Sequence, residues 1–147
     1  MEEIERKVNL VTNFLFTLVK YFQAINLKET HGTKISMSQY FVMDFLLQNK
    51  ESTMGGLSKF LKVKVSTTSE TIDKLEKLGL IKRERDKEDR RIVSIRLTDK
   101  GVKIAREIGK RRYEEHLWVL KQLDEKEMDA LLNIIAKISQ IFQGKKR

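Results

Sequence analysis

The strongest constraint on this chain is the stretch Arg85-Asp86-Lys87-Glu88-Asp89-Arg90-Arg91-Ile92-Val93-Ser94-Ile95-Arg96-Leu97-Thr98-Asp99-Lys100-Gly101, where unbroken charges run into an alternating segment and then a helix start. From Ile92 to Leu97, Val93, Ile95 and Leu97 fall on one side and Ser94 and Arg96 on the other. That is the two-residue period of a half-buried strand. The charges from Arg85 to Arg91 have no place in a core, because an ion buried without a partner is severely unfavourable. A β-hairpin with a solvated, charged tip is the expectation. Upstream, Val65 to Leu78 has the helical period with a polar outer face, Gly79 closes it, and Leu80-Ile81 enters the hairpin's first strand. A polar-faced helix followed by a charged hairpin suits nucleic-acid binding.

Location of charge strengthens this reading. The net charge is +9, and residues 59–112 hold 18 Lys and Arg against 9 Asp and Glu, leaving 12 against 12 elsewhere. The whole excess therefore lies on one segment, as a phosphate backbone favours, whereas a merely solvated surface would spread it. The chain has no cysteine, which excludes disulfides, thiolate metal sites, cysteine nucleophiles and thiol-based oxidant sensing. At 147 residues it suits one domain with a modest core. No continuous apolar run approaches a membrane span, and Met1-Glu2-Glu3 is unlike a signal peptide, so a cytoplasmic protein without membrane partners is expected. The abundance of Lys and Glu leans towards a thermophilic source.

Helical signals fill the rest. Ile4, Val8, Val11, Leu15, Leu18, Phe22 and Ile25 step by four and three, and Phe14, Phe16 and Val19 widen that seam beyond the cover of one neighbouring helix, so a second chain is the natural partner. Lys28 to Lys34 is expected as a loop. A second helix should begin at Ser36 or Ser38, with Ser36 and Gln39 spaced as a capping box, carrying Val42, Phe45 and Leu46 inward to about Asn49. Ser52 or Thr53 should start a short helix to about Leu61, with Gly55-Gly56 in its first turn through close backbone approach or early fraying. In the next helix Val65, Thr68, Ile72 and Leu75 are expected inward. Thr98 should cap a long helix to Leu123, with Gly109 at a bend, and Asp124 with Glu127 should open a last helix on the apolar stripe Met128, Leu131, Ile135, Ile138 and Phe142. The chain ends on Lys145-Lys146-Arg147.

Catalytic signals are few. His31 and His116 have no nucleophile context, phosphate loop or paired ligand around them, and Glu114 and Glu115 point away from His116 on its helix, so neither enzyme, metal nor cofactor is expected. The hydroxyls of Ser66, Thr67, Thr68 and Ser69 instead crowd one helical turn, where they can donate to and accept from base edges, although capping needs only one or two of them. Arg90 and Arg91 at the hairpin tip suit a narrow minor groove, with Asp86 and Asp89 shaping the turn.

Asp73-Lys74-Leu75-Glu76-Lys77-Leu78-Gly79-Leu80-Ile81, then Arg85 to Arg91, then Leu97-Thr98-Asp99-Lys100-Gly101, resemble the MarR family of winged helix-turn-helix transcriptional regulators, and Ser36 to Leu46 and Leu57 to Val63 resemble that family's second and third helices. The resemblance implies a mainly α fold with a small β-hairpin wing: a winged helix-turn-helix module at 35–102, and dimerisation helices at 1–34 and 103–147. It implies a homodimer over a palindromic operator in double-stranded DNA, with Arg91, then Arg90, as the minor-groove arginine. The residues assigned to DNA are Ser36, Ser38, Lys62, Lys64, Ser66, Thr67, Thr68, Ser69, Glu70, Lys74, Arg90 and Arg91. Similar proteins are often repressors released by phenolic or other small lipophilic anions, and Tyr40 and Met43 are the residues proposed to line such an effector site. The chain departs from the family at Ser69-Glu70, where threonine-arginine is common, and at Lys64-Val65, where serine-proline is common. Glu70 near DNA would repel phosphate or accept from cytosine N4. An architectural protein that coats DNA without sequence choice is the alternative.

Overall fold

The computed structural model describes residues 1–27 and 30–145, so the beginning of the expected 28–34 loop and the final Lys146-Arg147 lie outside the described residues. The elements are α1 (Glu2–Leu27), α2 (Met37–Asn49), β1 (Glu51–Ser52), α3 (Met54–Leu61), α4 (Val65–Lys77), β2 (Ile81–Arg85), β3 (Val93–Leu97), α5 (Asp99–Leu120) and α6 (Glu125–Gly144). The chain divides into two compact units, Met1–Arg111 and Arg112–Arg147.

Local chemistry sets most boundaries. Ser36, not Ser38, caps α2: its hydroxyl accepts the Gln39 N–H (3.3 Å), and the Gln39 side chain accepts the Ser36 N–H (2.8 Å). Thr53 caps α3 and accepts the Gly56 N–H at 3.1 Å. A Cβ on Gly56 would lie 2.5 Å from the Ser52 hydroxyl, a close approach that a side chain there would relieve only by turning Ser52 aside. Asp124 and Glu127 form the expected capping box at α6. Helix α5 stops at Leu120, three residues earlier than expected, because the chain turns there: the Leu123 N–H donates to the Leu120 carbonyl at 3.1 Å. Gly109 does not mark a break in α5; its missing side chain leaves room for the Tyr40 hydroxyl, which would sit 3.4 Å from a Cβ.

The hairpin is one strand larger than expected. Antiparallel β2 and β3 pair Ile81 with Leu97 and Arg85 with Val93, and β1 adds to the other edge of β3, giving the order β1-β3-β2. Arg96 on β3 reaches sideways to Glu51 of β1 and to Glu84 of β2 (3.6 Å), so charge pairing reinforces the ladder. The core of the first unit gathers Ile35, Val42, Met43 and Leu46 from α2 and its approach, Leu57 from α3, Ile72 and Leu75 from α4, Leu80, Ile81 and Ile95 from the wing, and Ile104, Ala105 and Ile108 from α5. Val65, expected inward, is exposed, because it stands at the first position of α4, before the turn that packs.

Helix α1 is long and apolar enough to cross a membrane by length and composition alone, with mean hydropathy 1.2 in its most apolar window, contrary to the expectation that no segment approaches a span. Its polar residues Asn9, Asn13, Thr17 and Lys20 share one stripe at about 100° per residue, so the helix has two unlike faces. In the second unit, α6 has no buried residue, and Ile134, Ile135, Ile138, Ile141 and Phe142 are exposed.

Two glycines separate close approach from mere cost. A Cβ on Gly101 would collide with the backbone carbonyl of Leu80, whereas the nearest atom to one on Gly55 is 3.9 Å away. Gly101→Ala should therefore destabilise the protein by roughly 3 kcal/mol, the upper end for overpacking. Gly55→Ala should be neutral or stabilise by up to about 1 kcal/mol. Urea unfolding of the two variants beside the parent checks the contrast, and equal effects would contradict it.

Candidate nucleic-acid interface

Helices α3 and α4 form the helix-turn-helix. The turn is made by Lys62, whose left-handed backbone (φ 56, ψ 38) ends α3 while its N–H donates to the Ser58 carbonyl. Lys64 stands at the cap position of α4 without a side-chain cap, since an ammonium cannot accept a hydrogen bond, so α4 begins with cations and exposed Ser66 and Thr67. This end is electropositive by composition and by the orientation of its backbone N–H groups.

Three contacts fix the rotation of α4. Ile72 and Leu75 are fully buried in the core. The Ser58 hydroxyl donates to Thr68 Oγ1 at 2.9 Å, and Thr68 Oγ1 donates to the Lys64 carbonyl at 3.3 Å, tying α3 to the first turn of α4. On the other flank Arg83 of β2 reaches back to α4, with ion pairs to Asp73 (2.5 Å) and Glu76 (2.9 Å). The face left outward carries Ser66, Thr67, Glu70, Lys74 and Lys77, all exposed, with Ser69 half-buried at its edge.

Thr68 is a correction to the set assigned to DNA. It is fully buried and its hydroxyl is used between α3 and α4, so it holds α4 in place and presents no group to the surface. The inward position expected from periodicity is the observed one. Ser36 and Ser38 are exposed at the start of α2, but the Ser36 hydroxyl is engaged by the cap and lies 3.2 Å from that of Ser38.

The wing tip is ordered by its own carboxylates. Asp86 accepts the N–H groups of Glu88 (2.8 Å) and Asp89 (2.9 Å), and these donors, that of Asp89 foremost, hold its carboxyl below the usual aspartate range. Asp89 accepts from the Arg91 guanidinium through two 3.0 Å bonds and from the Arg91 N–H, and is lowered in turn, chiefly by that side chain. Arg91 is thus aimed while its side chain stays 91% exposed. Arg90 is exposed and carries no ion pair among the described residues. Glu84 is likewise lowered, foremost by its hydrogen bond with Lys82.

Tyr40 and Met43 also need correction as effector-lining residues. Met43 is fully buried in the core and Tyr40 nearly so. A cavity of about 650 Å³ lies instead between α1, the start of α2 and the helix-turn-helix, lined by Gln23, Ser36, Phe41, Leu61, Val63 and Thr67 among others, with no charged side chain. Sequence reasoning missed Arg83 as well. Its signal was the pair Asp73 and Glu76, three apart on one face of α4, followed by an arginine on the next strand. Among the described residues no group of three His, Asp or Glu is placed to hold a metal.

Comparison with known proteins places this geometry. Residues 35–93 match the MarR family. An uncharacterised HTH-type transcriptional regulator of Bacillus subtilis, YsmB, is 34% identical over 80 residues, 54% of this chain and 55% of that protein, so the match spans about half of each. The HTH-type transcriptional repressor MdtR of the same organism is 28% identical over 134 residues, covering 89% of this chain and 86% of that one. Streptococcus pneumoniae FabT, solved in complex with DNA, shares the fold with a TM-score of 0.85 at 24% identity, over 97% of this chain and 99% of that chain. The winged-helix segment of this chain, residues 35–93, thus matches the MarR family, and the fold of the chain is the one FabT adopts.

Proposed function

We propose that this chain is a sequence-specific DNA-binding repressor that works as a homodimer in the cytoplasm, with no catalytic role. The observation that carries the reading is the outward face of α4, where exposed hydroxyls stand between the lysines of the turn and a charged wing on the one segment that holds the whole net charge. In this reading Ser66, Thr67 and Ser69 meet base edges, Ser36, Ser38, Lys62, Lys64 and Lys74 position the module on phosphate, and Arg91, with Arg90 beside it, enters the adjacent minor groove. MdtR, named a repressor, and FabT, solved with DNA, support both parts. An architectural binder would need the cations but not a rigidly oriented hydroxyl face.

The dimer follows from unsatisfied surface. Ile4, Val8, Val11, Leu15 and Val19 on α1, and Ile134, Ile135, Ile138 and Ile141 on α6, are all exposed in the single chain. Apolar surface on this scale marks an interface, so residues 1–34 and 103–147 serve as dimerisation regions around the module at 35–102. A palindromic operator with half-sites about 10 bp apart centre to centre suits two such modules. The uncharged cavity beside Ser36 and Thr67 supports release by a small lipophilic or phenolic effector, which would lie against residues assigned to DNA.

Each part has its measurement. Ile135→Asp should raise the dimer dissociation constant on the order of 100-fold, from ~3 kcal/mol for an uncompensated buried charge. Sedimentation at micromolar concentration reads it, and a parent protein that is a stable monomer contradicts the dimer. Arg91→Ala should weaken operator binding and reduce the log-affinity versus log-salt slope by about 1 per protomer, while Thr67→Ala should change base preference and leave the slope intact. Equal affinity of the parent for operator and scrambled DNA would favour the architectural alternative.

The wing should resist acid. Because the Asp86 carboxyl is lower in the folded wing than its ordinary 3.8, its stabilisation is present above that value and lost only as pH falls through the lower folded one. The Glu88 and Asp89 amide resonances should titrate together with a midpoint below 3.8, and a midpoint at or above it would show that the turn does not form.

A further inference from the structure

Helix α4 carries three carboxylates, Glu70, Asp73 and Glu76, on the surface proposed to meet a polyanion. Two of them are neutralised within the fold, because Arg83 pairs with both Asp73 and Glu76. Glu70 is exposed and makes no hydrogen bond or ion pair among the described residues, even with Lys74 one turn on. At about 100° per residue it shares a stripe with Ser66, Asp73 and Lys77, opposite the buried Thr68, Ile72 and Leu75. It therefore stands at the middle of the reading face, both along the helix and around it.

A free carboxylate in that position discriminates. Against phosphate it is repelled, and against guanine O6 or thymine O4 it meets another acceptor. Adenine offers its N6 amine, but the neighbouring N7 lone pair faces the second carboxylate oxygen. Cytosine alone presents an amine, N4, flanked by a C–H. We propose that Glu70 is a specificity-determining residue that accepts a hydrogen bond from cytosine N4 in each half-site and rejects operators lacking cytosine there. This rests on the DNA-reading function proposed above.

The test is selection of bound sequences from a random duplex library with the full-length chain, in parent, Glu70→Gln and Glu70→Ala forms, followed by titration of single-base variants. The parent should enrich a two-fold motif with one cytosine per half-site, and changing that cytosine to thymine should cost about 10-fold or more in affinity. Both variants should keep the rest of the motif but bind the cytosine and thymine versions within about 3-fold. As Glu70 has no partner among the described residues, their thermal unfolding should match the parent's, which keeps a lost preference from being a folding effect. A parent motif with any other base at the position, or a cytosine preference that survives both substitutions, overturns the assignment while leaving sequence-specific binding in place. A parent that enriches no motif overturns that function as well.

Discussion

One backbone corner holds the reading elements together. Thr98 donates its N–H to the Leu80 carbonyl (3.0 Å) and its hydroxyl to the Gly79 carbonyl (2.6 Å), while that hydroxyl accepts the Gly101 N–H (3.0 Å) and Lys100 reaches the Leu78 carbonyl (3.1 Å). The residues that end α4, open β2, close β3 and begin α5 thus meet at one place. Gly101 is what lets them, since any side chain there would occupy the Leu80 carbonyl. Small shifts at such a packed joint move elements as bodies, because close-packed interiors do not deform smoothly. The orientation of α4 against the wing depends on this corner, and so does the geometry of any DNA contact.

Charge is distributed with the same economy. The carboxylates of the module are mostly spent on its own cations and amides: Asp73 and Glu76 on Arg83, Glu51 and Glu84 on Arg96, Asp89 on Arg91, Asp86 on the turn. Lys62, Lys64 and Arg90 are exposed, while Glu70 stands apart as a negative group with no ion pair among the described residues. Exposed pairs of this kind contribute little stability each. Their larger effect is to aim side chains, as Asp89 aims Arg91.

What was legible in the sequence was what depends on near neighbours. The capping boxes at Ser36-Gln39 and Asp124-Glu127, the Thr98 cap, the alternation along β3 and the Gly79 stop are all local, and all are present. Contacts distant in sequence were not legible. Strand β1 is two residues long, too short for any period, and exists only because β3 offers an edge. Thr68 has the chemistry of a DNA contact, and only the position of Ser58 across the turn assigns its hydroxyl to the interior. Tyr40 and Met43 have the composition of a pocket lining, but α2 turns them into the core, and Gly109 makes room for the tyrosine. Helix α1 shows the opposite limit: its hydropathy matches a membrane span, and its period reveals two faces.

The central claim is that two copies of this module read a two-fold site, α4 in the major groove and the wing in the minor groove beside it. Hydroxyl-radical footprinting on a selected fragment tests it most directly, because cleavage reports minor-groove and backbone cover nucleotide by nucleotide. The account predicts two symmetric protected patches about 10 bp apart centre to centre, each with a flanking minor-groove protection from the wing that disappears in Arg91→Ala. Uniform protection along the fragment, or one unsymmetrical patch that Arg91→Ala leaves unchanged, would contradict it.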